Sequence, residues 1–409
     1  MFSLSQALGG ALFFVLTSFL AAAPAAAEDE AFTPLFNGKD LSGWVNVNCA
    51  ESTWSVKDGI IICSGKPTGV LRTERQYENF IVEFEWKHLH KNGNAGFFVH
   101  SDPITAPGVP FTRSIEVQVM DGDDPGGQYT GHGDIFSIHG SSFVPDRPHP
   151  GGWERCLPSE KRAKPPGEWN HYRLESRDGK LSLAVNGKVV SGGTRCRPRK
   201  GYLCLESEGS EVHFRNLRIR ELPGSNPPPE EVAALDQGFK SLYSGLDLSG
   251  WKADPGHEGH WRPRGHLLDY DGKSKAEHLW SAKEYGDFIL IADWRLPAAG
   301  GDSGIYLRGN DKSQVNIWAA PEGSGEVHGY RVDESLPAEV RAAVVPKKKA
   351  DQPLGQWNRF VITLRGEELT VALNGETVID KARLPGVPRR GPIALQHHGD
   401  PIQFMNLYI

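Results

Sequence analysis

Sulfur is scarce in this chain, with 5 Cys and 3 Met in 409 residues. Cys49, Cys63, Cys156, Cys196 and Cys204 all fall in the first half, and their spacing matches no zinc pattern. The second half has none, so disulfides cannot define a fold that the two halves share. Their odd number leaves at least one thiol unpaired or intermolecular. Cys49 and Cys63 could pair across a hairpin, which the sequence leaves open. Charge of one sign is also lacking. The net charge is -6, and the only basic cluster is Lys347, Lys348 and Lys349, too short to argue for nucleic acid and read as a solvated loop. Beyond residue 27 no apolar run could span a membrane. No G-x-S-x-G elbow, P-loop or dinucleotide fingerprint occurs, which removes support for a serine triad or a nucleotide site.

Glycine and proline, by contrast, are abundant, at 47 and 29 residues. That density breaks helices and suits short strands joined by turns. A hydrophobic share of 38% and a charged share of 23% describe a folded chain. Its length suits two sandwich domains. Most of the 11 Trp are expected in the core, and a few exposed ones would suit stacking on sugar rings. Residues 1–27 differ in character. An apolar stretch from Ala7 to Ala23 runs into Ala25-Ala26-Ala27 and then Glu28-Asp29-Glu30. This reads as a secretory signal peptide cleaved after Ala27, hence a secreted or periplasmic protein. No Lys or Arg precedes the stretch, which leaves an uncleaved anchor as the alternative.

The strongest internal signal is a repeat. Phe32-Thr-Pro-Leu-Phe-Asn-Gly-Lys-Asp-Leu-Ser-Gly-Trp44 returns as Phe239-Lys-Ser-Leu-Tyr-Ser-Gly-Leu-Asp-Leu-Ser-Gly-Trp251. Trp54 and Trp86 return as Trp261 and Trp294, Trp169-Asn170 as Trp357-Asn358, and Asn186-Gly187 as Asn374-Gly375. Phe214-Arg-Asn-Leu217 and Phe404-Met-Asn-Leu407 close the halves. This predicts a first domain over 28–222, a Pro-rich linker over 223–238 with a short helix over 230–237, and a second domain over 239–409. Runs such as Phe80–Trp86, Lys180–Val185 and Leu369–Leu373 alternate as strands do. Asn-Gly after such a run is the preferred two-residue hairpin turn, because both positions need positive φ. The fold class expected is all-β, two tandem sandwiches or jelly rolls.

Period-two alternation also sorts side chains by face. Ile115, Val117 and Val119 point one way, and Glu116 and Gln118 the other. The counterparts outside the core in the second half are Gln314, Asn316 and Trp318. Gly96, Phe98 and His100 share a face, as do Gly304, Tyr306 and Arg308. Leu203 and Leu205 turn Glu206 and Glu208 outward, and Gln396 and His398 hold the matching places. Three strands in each half thus offer one polar platform, to be weighed against an ordinary solvated sheet face. Gly-rich loops add His132, Asp134, His139 and the segment 323–331 with His328. His132, Asp134, His139 and Glu116 are a candidate divalent-metal set that no spacing rule supports; loop histidines that only hydrogen-bond are the alternative. Two-carboxylate glycoside hydrolysis could draw on Glu116, Glu206 and Glu208, but Gln314, Gln396 and His398 retain no such pair in the second half.

At these residues the chain resembles the 3-keto-disaccharide hydrolase domain family, formerly a domain of unknown function. The matching landmarks are Leu35-Phe-Asn-Gly-Lys-Asp-Leu-Ser-Gly-Trp44, Trp54-Ser-Val-Lys-Asp-Gly59, Gly304-Ile-Tyr-Leu-Arg308, Ile115-Glu-Val-Gln118, Gly355-Gln-Trp-Asn358 and Gly391-Pro-Ile-Ala-Leu-Gln396. The resemblance covers the mature chain twice. It implies a concanavalin A-like jelly roll, export, and action on an oligosaccharide or glycoside oxidised at C3. A C3 ketone acidifies the C2 hydrogen; its removal lets the group at C1 depart, and water then adds. Such chemistry needs a base, hydrogen bonding at the enolate oxygen and a proton for the leaving group. On this reading Arg308 and Gln396 hold the keto oxygen and His398 or His328 is the base. Trp318 stacks on the ring, with Asn316 and Tyr306 beside it. The first half departs from the family, with His100 in place of the motif's Arg and Glu206 in place of its Gln. It could have its own specificity, bind through Glu116, Gln118, His100 and Glu206 without catalysis, or use a metal ion instead of the Arg. A carbohydrate-binding protein of the same fold is the alternative function.

Overall fold

The computed structural model describes Met1 and residues 32–121, 131–274, 276–319 and 321–409. Apart from Met1, the segment read as a signal peptide lies outside them, as do Tyr129 and Thr130.

The protein is all-β, two tandem concanavalin A-like sandwiches. In the first, a sheet of 9 strands faces one of 7. The larger sheet centres on Phe80–His88, between Asn170–Arg177 and Val212–Glu221. The smaller runs from Arg155–Cys156 through Ile135–Ile138, Ser114–Met120, Asn94–Ser101, Tyr202–Ser207 and Gly69–Thr73 to Trp44–Val47. The second sandwich pairs a sheet of 7 strands with one of 4. Its small sheet orders Leu279–Tyr285, Gly391–Leu395, Asp302–Tyr306 and Gln314–Trp318.

The repeated landmarks turn out to be structural. Trp44, Trp54 and Trp86 are buried in one core, and Trp251, Trp261 and Trp294 in the other. Burying a large apolar side chain contributes about 1.5–3 kcal/mol, so packing alone accounts for their recurrence. Asn186 and Gly187 have φ of 47° and 85°, and Asn374 and Gly375 have 52° and 84°, as a type I′ hairpin requires. The Asn side chain does more than turn the chain. Asn186 Nδ2 donates to Oδ1 of Asn170 at 3.0 Å, and Asn374 Nδ2 to Oδ1 of Asn358 at 2.8 Å. The Trp-Asn and Asn-Gly motifs are therefore two halves of one clamp, formed once in each sandwich.

The segment after the first sandwich differs from the expected helix over 230–237. It makes one 3-10 turn at Pro229–Glu231 and otherwise lies extended along the first sandwich. Arg199 Nε reaches Glu231 at 2.6 Å and Arg72 reaches Asp236 at 2.7 Å. The prolines cannot feed a helix with donors, and side chains of the first sandwich hold the segment instead. All five cysteines are buried free thiols, Cys49 and Cys63 included.

The two sandwiches share a continuous interface. Val47, Val70, Phe98 and Cys204 of the first pack with Ile291 and Tyr408 of the second. Asp293, wholly buried, pairs with Arg359 at 2.6 Å and accepts from Gly108 N at 2.8 Å and from Asn406 Nδ2 at 2.7 Å. Thr105 Oγ1 and the Tyr408 hydroxyl meet at 2.9 Å. Phe98 shares a face with Glu116, so the second sandwich covers part of the first one's polar platform.

Candidate active site

In the second sandwich the outward side chains of the small sheet converge. Register pairs Gly304 with Asn316 and Tyr306 with Gln314. Gln314 donates to Oε1 of Gln396. An added Cβ at Gly304 would sit 2.3 Å from Gln314 Nε2, so that glycine leaves room for the amide pair. Tyr306 stacks on His278 with centroids 4.5 Å apart, and Trp280 flanks it at 5.9 Å. At one end of the sheet, His398 Nδ1 is 3.2 Å from Asp400, and Nε2 is 3.7 Å from Asp302. At the far strand, Trp318 meets His328 edge to face at 6.4 Å. Buried Glu326 accepts from Arg331 at 2.7 Å and lies 3.2 Å from His328. Burial foremost raises the Asp302 pKa, against the pull of nearby His398 and His328. The Tyr306 hydroxyl is also pushed up by burial.

Of the residues read from the sequence, Tyr306, Gln314, Asn316, Trp318, His328, Gln396 and His398 lie on or beside this face. Arg308 does not. Its φ is 52°, which ends the strand's alternation and turns the side chain into the sandwich. There it is 1% exposed. Its guanidinium donates to the carbonyls of Gly286, Gly366, Pro388 and Leu364 and to Asp287. His100 behaves alike in the first sandwich: φ is 56°, it is wholly buried, and Nε2 lies 3.1 Å from Ser176 Oγ. Burial pushes its pKa down to about 4, so the ring is neutral. Arg308 and His100 are thus corrected from ligand contacts to buried residues. Each packs against an equivalent phenylalanine, Phe288 or Phe80.

Sequence reasoning missed Asp302, Asp400 and His278, and took Glu326 only as part of the loop over 323–331. Asp302 carries a signal, because it lies two residues before Gly304 on one strand. Asp400 and His278 come from outside the alternating runs, and no spacing marks them.

The first sandwich repeats the layout with other groups. Gly96 pairs with Gln118, Phe98 with Glu116, and Glu116 with Phe136. An added Cβ at Gly96 would meet Glu116 Oε1 at 2.7 Å and Glu206 Oε2 at 2.8 Å. Glu116 and Glu206 therefore take the places of Gln314 and Gln396. Asn94 donates to Glu208, and these two stand where Asp302 and His398 stand. The proposed metal set is not assembled: His132 Nε2 accepts from Arg162 N at 2.9 Å, His139 stacks on Phe111, and Asp134 pairs with Arg155 at 3.1 Å. Among the described residues no group of three or more His, Cys, Asp or Glu is placed to hold a metal ion.

Burial is the first cause that holds Glu116 and Glu206 far above ordinary carboxylate pKa values, and carboxylate neighbours add to it. Burial also raises Glu208 to about 7. The native state thus binds these protons more tightly than the unfolded chain does. Stability should be full below the ordinary value of 4.5 and fall as pH rises through the folded values. The slope approaches about 1.4 kcal/mol per pH unit for each proton retained. Denaturant unfolding at pH 5 and pH 8 should show the loss, and Glu116→Gln with Glu206→Gln should flatten it. Equal pH dependence in both chains would contradict this account.

Fold and face together define a tandem jelly-roll protein with a largely buried polar face on the smaller sheet of each sandwich. More particularly, the chain belongs to the 3-keto-alpha-glucoside-1,2-lyase-like domain family, whose sequence model matches residues 31–220 and 238–409. A 3-keto-disaccharide hydrolase from Bacteroides thetaiotaomicron is 22% identical over 245 residues, covering 47% of this chain and 79% of that relative. A Parabacteroides distasonis crystal structure, provisionally assigned as a glycosyl hydrolase, is 26% identical. It covers 47% of this chain and 95% of its own, with a TM-score of 0.38. A carbohydrate-binding module from Bacillus subtilis is 13% identical, covers 44% and 96%, and has a TM-score of 0.33.

Proposed function

We propose that this protein is exported and that its second sandwich cleaves glycosides carrying a ketone at C3. The observation that carries the reading is His398, held between Asp400 and Asp302 beside the Gln314–Gln396 pair and Tyr306. His398 removes the C2 proton as base. On this reading the amide N–H groups and the Tyr306 hydroxyl donate to the enolate oxygen, the largest usual contribution to such a step. The enolate's electron pair then forms the C1–C2 double bond, and the C1–O bond breaks with its pair on the leaving oxygen. On this reading Asp302, whose pKa burial raises above the ordinary carboxylate value, gives that oxygen a proton. Water adds its oxygen at C1 and a hydrogen at C2, so the net change is hydrolysis. Trp318 and His328 form an aromatic wall for the sugar ring. Family membership and the name of the Bacteroides relative support this substrate class.

The test is incubation of the mature chain with a disaccharide oxidised at C3 and, separately, with its unoxidised parent. Free sugar from the keto form alone, with solvent deuterium entering C2, is the expected result. Equal cleavage of the parent would overturn the mechanism, and binding without turnover would make the protein a carbohydrate-binding module.

A further inference from the structure

The first sandwich has lost the histidine of the second, yet its face is not blank. Position by position, Asn94, Glu116, Gln118, Glu206 and Glu208 stand for Asp302, Gln314, Asn316, Gln396 and His398. The correspondence extends to the backbone. Gln118 N donates to Asp134 O at 2.9 Å, as Asn316 N does to Glu326 O at 2.9 Å. Both buried acids are then paired with an arginine, Arg155 or Arg331. An acidic cluster alone would mean little. Here Gln118, 1% exposed, anchors its Nε2 on Asn94 and Ala95 and leaves Oε1 without a partner. Glu206 Oε2 is likewise buried without a partner. Such atoms are costly unless a ligand or water meets them. Phe136, the cross-strand partner of Glu116, lines a surface depression of about 390 Å³ together with Arg155 and Trp153, and Trp153 is 46% exposed.

We propose that the first sandwich is a second catalytic centre for 3-keto glycosides, with Glu208 as its base and the Glu116–Glu206 pair as hydrogen-bond donor to the developing enolate oxygen. This rests on the reading of the second sandwich given above. Two buried carboxyls facing each other cannot both ionise, so the pair keeps at least one O–H. A carboxylic acid held neutral can donate to an oxyanion as an amide does. Glu208, only partly buried, occupies the base position and titrates near neutrality, where a general base is most effective. The groups that set these protonation states are the three glutamates themselves, Arg155 with its partner Asp134, and the thiols of Cys63 and Cys204. The C2 proton passes to the Glu208 carboxylate, the C1–C2 double bond forms, and the C1–O pair leaves with the departing oxygen. That oxygen takes the proton from the Glu208 carboxyl, and water then adds its oxygen at C1 and a hydrogen at C2.

The test uses the full mature chain with His398→Ala and Asp302→Asn, which disable the second sandwich. The probe is an α-linked glucose disaccharide oxidised at C3, followed by sugar release and by deuterium entering C2. Residual exchange should persist, rise with pH through about 7, and fall about 100-fold or more on adding Glu208→Gln. Glu208→Gln keeps an acceptor for Asn94, so its unfolding midpoint should hold. An active parent whose doubly substituted form is inert would overturn this proposal alone, and so would residual exchange indifferent to Glu208→Gln. A parent chain inert on the keto sugar would remove both readings.

Discussion

Replacing His398 with alanine should lower cleavage of a 3-keto-disaccharide by the second sandwich about 100- to 10,000-fold, the range that one positioned base supplies. It should leave stability within about 0.5 kcal/mol, because a half-exposed ring that fills no cavity costs little to remove. The side chain is 47% exposed and lies beside two carboxylates. Asp400→Asn should act more mildly through the same ring. It keeps an acceptor for the Asp302 backbone N–H, now 3.2 Å away, but replaces a carboxylate partner of His398 Nδ1 with a neutral amide. Its loss should be concentrated in kcat. Activity should be scored against a background lacking Glu208, so that the first sandwich does not mask the loss. Turnover unchanged by His398→Ala in that background would discard this residue as the base.

The architecture was legible because its signals are local and repeated. Asn-Gly after an alternating run dictates a hairpin by backbone sterics alone, and each Trp of the repeat is explained by burial. Face parity also placed Glu116, Gln118, Glu206, Gln314, Asn316 and Gln396 away from the cores, since period two holds as long as a strand stays regular. It failed at Arg308 and His100 for one reason. Each has positive φ at the strand's end, and the left-handed conformation takes that residue's own side chain out of the strand's alternation. Arg and His carry no mark of that conformation, unlike Asn or Gly. The close approach that fixes it is visible only in three dimensions: an added Cβ at Gly391 would lie 2.2 Å from the Arg308 carbonyl oxygen, and one at Gly201 would lie 2.4 Å from the His100 carbonyl carbon. Asp400, Glu326 and His278 reach the cleft from loops and strand ends, where periodicity says nothing. That the second sandwich covers Phe98 depends on docking between distant segments, which no pattern within one strand records.

Arg308→Ala should destabilise the second sandwich by about 3–5 kcal/mol, a cost that belongs to folding and not to substrate contact. The guanidinium bridges four backbone carbonyls, at 2.7 Å from Gly286, 2.6 Å from Gly366, 3.1 Å from Pro388 and 3.2 Å from Leu364. Alanine would leave several of these acceptors unmet beside the core ring of Phe288, and each buried unmet group costs about 1–3 kcal/mol. Partial entry of water would recover some of this, because Asp287 on the rim is 64% exposed. Arg308→Lys should recover only part of the loss, since an ammonium keeps the charge but cannot span the forked set of acceptors. Denaturant unfolding would give the loss directly. Turnover measured where the variant is still folded should match the parent per folded molecule, because the side chain is buried among backbone carbonyls away from the His398 face. An Arg308→Ala chain with an unchanged unfolding midpoint and no turnover would return this arginine to the substrate and reverse the correction made from its backbone conformation.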